Sequence, residues 1–153
     1  MSNLNSLSHF LPELILTVTV LTAVIADLFY HKDESRKVAW WVLGGLALTL
    51  FAIQMGGSTV TDLFMGTIAL DPFSEYFKIL VLIATVLVIL TSFNSNELQD
   101  YRVGEYYSIL AIMVFGLFLM ASAIDILMVY LSIEVVSIMS FFLAGYLKKN
   151  PHS

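Results

Sequence analysis

One carboxylate stands where a membrane leaves little room for it. Glu134 lies within "DILMVYLSIEVVSIMSFFLAGYL", residues 125 to 147, where it is the only charge after Asp125. An acid at the centre of a membrane helix costs about 2.5–3.5 kcal/mol on insertion scales. Its distance from either end of the run is about ten residues, or roughly 15 Å of helical rise, which is too far for a glutamate to reach water. Tyr130 at i−4, Ser137 at i+3 and Ser140 at i+6 continue the same face. Low dielectric favours the protonated acid, and a cation close by favours the carboxylate. A group held between those two pulls can take up and release a proton. The sequence favours that reading over the alternative, a protonated glutamate that hydrogen-bonds a neighbouring helix.

The other polar residues have blander readings. Lys78 enters a span three residues after Glu75, a spacing that suits an i,i+3 pair with the amine drawn toward the interface. A place for Lys78 in a polar relay, beside Glu134, Tyr130 and Ser137, is the second reading. Asp27 stands one turn before Tyr30 and is expected to pair with Arg36 or Arg102. Glu13 is read as a complement to the positive end of a helix, and Asp125 as a helix cap. Gln54 either serves a cavity or marks a helix end. His9, His31 and His152 flank the apolar runs without ligand spacing, so no metal site is expected.

These groups need apolar elements to hold them. Of the 153 residues, 59% are hydrophobic and 12% charged, against about 25% charged in an ordinary soluble domain. The chain has too little polar surface to cover a soluble fold, so its solvent is a lipid bilayer. The net charge is −5 and the basic residues form no stripe, which argues against nucleic acid. The absence of cysteine removes disulfides, thiolate catalysis and cysteine-ligated iron–sulfur clusters from this chain. The first ten residues carry no Lys or Arg and the first apolar run exceeds a signal sequence, so it is expected to be retained.

Five segments are long enough to span, since a crossing takes about 20 apolar residues. They cover approximately residues 11–30, 38–55, 73–93, 106–121 and 124–146, giving an all-α membrane protein with one transmembrane domain. The fourth and fifth should form an antiparallel hairpin, and residues 56–71 a loop rich in Gly, Thr and Asp. Pro12 suits a first helical turn, Asp71-Pro72 reads as cap and N1, and Ser122 to Asp125 has capping-box spacing. Tyr30, Trp40, Trp41, Tyr76, Tyr106, Tyr107 and Tyr146 lie near the ends, where amphipathic rings settle at headgroup depth. Lys32, Arg36, Lys37, Arg102, Lys148 and Lys149 fall on one side of this topology, six of seven basic residues. By the positive-inside rule that side is cytoplasmic, with the N-terminus outside.

The run "GEYYSILAIMVFGLFLMASAIDILMVYLSIEVVSIMSFFLAGY" resembles the fourth and fifth helices of subunit N of bacterial proton-translocating NADH:quinone oxidoreductase, respiratory complex I. "LPELIL" and "DPFSEYFK" resemble that family's opening motifs, and the likeness runs from about residue 11 to 150. The resemblance implies an antiporter-like membrane subunit of about fourteen helices, with inverted repeats and broken helices. It implies that Glu134 matches a glutamate on the fifth helix, which faces a lysine on a later broken helix and couples redox changes to proton movement. It implies a multi-pass protein of the bacterial inner (plasma) membrane. Its partners would be the other membrane subunits of complex I and the C-terminal remainder of the subunit, including that lysine. NADH, FMN, iron–sulfur clusters and quinone would belong to other subunits, with no cofactor in this chain.

Two other functions stand beside this one. A subunit of a multi-subunit Na+/H+ antiporter shares the helix pattern without the link to NADH. A structural scaffold without proton conduction would use Glu134 only as interhelical glue.

Overall fold

In a computed structural model of the chain, residues 10–30, 36–56, 61–64, 66–94 and 103–146 are described. Five helices dominate: α1 Leu11–Phe29, α2 Lys37–Gly56, α3 Pro72–Ser92, α4 Val103–Ser122 and α5 Ile126–Gly145. Each is long and apolar enough to cross a membrane, so the chain is a multi-pass membrane protein. The expected 106–121 span starts one turn earlier, at Val103, and the expected 124–146 span begins at Ile126.

Between α2 and α3 the expected loop contains a short antiparallel hairpin, β1 Thr61–Leu63 and β2 Ile68–Leu70. Its turn uses positive φ at Phe64 (50°) and Gly66 (84°), a conformation that glycine adopts at little cost. The hairpin is pinned to the α4–α5 turn. Ile68 bridges Ala123, and the Thr67 carbonyl accepts the backbone N–H of Ile124 at 3.0 Å. The same carbonyl lies 3.5 Å from the N–H of Asp125. Asp125 is the N-cap of α5 but its side chain makes no cap bond, so the capping box expected from Ser122 does not form. The hairpin instead ties down the N–H groups of Ile124 and Asp125, in the turn that leads into α5.

The cap expected at Asp71 is present. Its carboxylate accepts the Ser74 N–H at 2.8 Å, the Ser74 hydroxyl answers the Asp71 N–H, and Pro72 opens α3.

Helix α4 lies at the centre and packs against all four other helices, while α1, α2 and α3 form an arc on one side of it. Half of its membrane-length window is buried, against 6% for α5, whose only extensive contact is with α4. Gly116 makes that contact close: a Cβ there would meet Val135 Cγ1 and Val136 Cγ2 at 3.0 Å. On the other side, Gly45 admits the Thr19 side chain between α1 and α2, where a Cβ would overlap it. Small residues of this kind let membrane helices approach. Gly45→Leu should therefore cost about 1–3 kcal/mol, the usual penalty of overpacking. Gly44→Ala should be neutral, because a Cβ there meets nothing within 4 Å. Thermal unfolding midpoints of the two variants in detergent would check the contrast.

Candidate functional site

The intramembrane polar residues separate into three places. At the centre of α5, Glu134 and Tyr130 are exposed and Ser137 is half-buried. The packed side of α5 is set by Val135, Val136 and buried Ser132, whose hydroxyl donates to the Met128 carbonyl at 2.7 Å. At 100° per residue, Glu134 lies about 160° around the helix from Ser132. It points away from α4. Tyr130 is 63% exposed on the same outward side, and the Ser140 hydroxyl bonds the Ser137 carbonyl at 2.8 Å. Among the described residues, no side chain pairs with the Glu134 carboxylate. The fold brings together the three residues singled out on this helix, on a face that the other four helices leave uncovered.

Lys78 is elsewhere. Neither the expected pair with Glu75 nor snorkelling is seen: Lys78 is 1% exposed, and its Nζ donates to Oε1 of Glu13 on α1 at 2.5 Å. Nζ also lies 5.9 Å from the centroid of the Phe118 ring on α4. The reason is helical phase. Ser74, Lys78, Leu82, Thr85, Ile89 and Ser92 form the inward stripe of α3, whereas Glu75 stands one residue off it. Glu13 is correspondingly not a surface dipole residue: it is fully buried, and its Oε2 finds no partner among the described residues. The available signal was that Glu13 and Asp27 are 14 residues apart, close to four turns, and therefore share the buried face of α1.

The third place is the opposite end of the bundle. Asp27 is 8% exposed, and its Oδ1 packs so tightly on Gly104 that no Cβ fits there. With Glu105, Ser108 and Tyr146 it lines a cleft of about 380 Å³. Of its two expected partners, Arg36 donates instead to the Phe93 carbonyl at 2.6 Å, and Arg102 lies outside the described residues. Tyr107, expected at headgroup depth, is fully buried, with its hydroxyl 2.9 Å from Ser92 Oγ. Tyr106 and Tyr146 pack together at 5.9 Å. His9, His31 and His152 lie outside the described residues, among which no cluster of metal-ligating side chains occurs.

An uncovered acid on the last helix, next to a tightly packed four-helix unit, is the feature to compare with known proteins. NADH-quinone oxidoreductase subunit N 2 of Chloroherpeton thalassium is 38% identical over 145 residues, 92% of this chain. The chain is a homologue of subunit N. The corresponding protein of an Anaeromyxobacter species is also 38% identical, over 151 residues and 95% of the chain. The chloroplastic NAD(P)H-quinone oxidoreductase subunit 2 of Mesostigma viride is 30% identical over 145 residues, 94% of the chain. The chain spans 28%, 29% and 29% of the length of these three relatives. No family model matches it. The likeness to subunit N extends through all five helices, so the polar residues above all fall inside the related stretch.

Proposed function

We propose that the chain acts within the membrane arm of a proton-translocating NADH:quinone oxidoreductase and contributes Glu134 to the path of the proton. The observation that carries this reading is the outward Tyr130–Glu134–Ser137 face of α5. In lipid that face would carry a carboxyl group with no partner, at several kcal/mol. Covered by protein helices, with a cation opposite Glu134, the same face becomes a site where charge and proton can be exchanged. The rest of the subunit is the natural cover, since relatives of the chain are more than three times its length. NADH, FMN, iron–sulfur clusters and quinone act on other subunits in this reading, and this chain contributes to coupling rather than to electron transfer.

The buried Glu13–Lys78 pair belongs to the scaffold in this proposal, and no step is routed through it. Localisation follows the complex: the bacterial inner membrane, with residues 31–37 and 94–105 on the cytoplasmic side. Purification through a tag on this chain tests the membership. Complex I subunits and NADH:quinone reductase activity should co-purify; a set of antiporter subunits without that activity would overturn it. The orientation has its own test, which the lack of cysteine makes clean. Single cysteines at Glu34 and Gln99 should resist an impermeant thiol reagent in intact cells and react in inverted membranes.

A further inference from the structure

A groove on the outer side of α1 and α2 has no part in the site above. It holds about 640 Å³ and is lined by residues of these two helices alone, among them Val18, Thr22, Trp40, Trp41, Gly44 and Leu48. From Trp40 to Leu48 it runs about 12 Å along α2, most of the depth of one leaflet. Gly44 makes its floor flat, with open space where a side chain would stand. The groove also faces away from α5, where the polar face calls for protein cover. No residue of α3, α4 or α5 lines it.

Its mouth is chemically different. The indole of Trp41 is fixed by a 2.9 Å bond from Nε1 to Thr22 Oγ1, and Trp40 stacks on Phe93 at 5.6 Å. One turn nearer the end of α2 stand Arg36 and Lys37, both exposed. Arg36 donates one N–H to the Phe93 carbonyl at 2.6 Å, with its guanidinium 6.0 Å from that ring's centroid, and Lys37 Nζ lies 5.8 Å from the centroid of Tyr30. We propose that the groove is a binding site for a glycerophospholipid, with an acyl chain along Gly44 and the phosphate held by Arg36 and Lys37. Apolar floor, indoles at the boundary and cations beyond them follow the order of tail, ester and phosphate along such a lipid. The loop joining the two helices also carries Asp33 and Glu34, so recognition rests on two placed donors rather than on a strongly basic surface.

The test is photo-crosslinking in the assembled protein, reconstituted in phosphatidylcholine vesicles. Two probes with the same diazirine-bearing chains are compared, a phosphatidylglycerol and a diacylglycerol that lacks the phosphate. Peptides from residues 14–22 and 40–48 should be labelled severalfold more by the phosphatidylglycerol. Gly44→Phe should abolish that excess by filling the groove, and Lys37→Gln should reduce it severalfold while leaving the diacylglycerol signal unchanged. Equal labelling by both probes would reduce the groove to ordinary lipid contact. No labelling of these peptides by either probe would mean that a protein helix covers it. Either result overturns the proposal.

Discussion

Lys78→Met should be the most damaging single substitution in the chain. It leaves the Glu13 carboxylate in a dry interior with neither oxygen bonded, because Lys78 is the sole hydrogen-bond partner of Oε1 among the described residues and Oε2 has none. Breaking a buried pair from one side typically costs about 3–5 kcal/mol. That is on the order of a hundred- to several thousandfold in the folded-to-unfolded ratio, and comparable with the whole stability of many domains. Glu13→Gln should be milder, since the amide oxygen can still accept from the Lys78 ammonium, which also keeps the Phe118 ring 5.9 Å away. The double variant Glu13→Leu, Lys78→Met should recover most of the loss, because an apolar pair of similar volume is often as stable as the ions it replaces. Membrane abundance and thermal unfolding of the three variants read this out directly. If Lys78→Met were as stable as the parent, the pair would be open to water in the assembled protein and its burial here would carry no energetic weight.

Glu134→Gln should have the opposite profile, with assembly intact and proton pumping reduced. The side chain lies on the exposed face of α5 and supports no contact that the five helices need. Glutamine keeps its size and most of its hydrogen-bonding capacity and loses only the ionisable proton. If Glu134 acts by changing protonation or pairing during turnover, pumping per electron falls, and quinone reduction falls with it where coupling is tight. Glu134→Asp should lie between, as the carboxylate survives but is drawn back by one methylene. A scaffold role predicts the reverse ranking, with harmless glutamine or a defect in assembly. The deciding quantity is protons pumped per electron at matched abundance of the complex, and full pumping in the glutamine variant would remove Glu134 from the pathway.

Much of this architecture was legible in the residues. Five apolar runs gave five helices, because run length against bilayer thickness is a coarse criterion that local detail rarely upsets. The Asp71–Ser74 cap was legible too, because it is made within four consecutive residues. The readings that failed depended on contacts distant in sequence. Lys78 and Glu13 are 65 residues apart, so a nearby carboxylate at Glu75 was the natural partner until the inward stripe of α3 set the phase. Tyr107 is chemically equivalent to Tyr106 as an interfacial ring, and only its position on the central helix turns it inward toward Ser92. The Ser122–Asp125 box did not form, and the Ile124 and Asp125 N–H groups go to a carbonyl of a hairpin that no periodicity announces, its strands being three residues each. The Tyr130–Glu134–Ser137 face was recognisable because all three lie on one helix at i−4, i and i+3, and no contact distant in sequence is needed to place them together.

The bond from the Thr67 carbonyl to the α4–α5 turn bears on how α5 can respond to a change of charge at Glu134. A rod pinned at one end and resting on a single neighbour has a fulcrum. The residues just before Ile126 are held by Thr67 and Ile68 of the hairpin, while the far end near Gly145 rests chiefly on tyrosine rings and leucine. A sideways pull near Glu134 would therefore tilt α5 across the close Gly116 contact and move its far end more than its pinned one. An electrostatic event in the middle of the membrane would be delivered, as movement, to one surface of it.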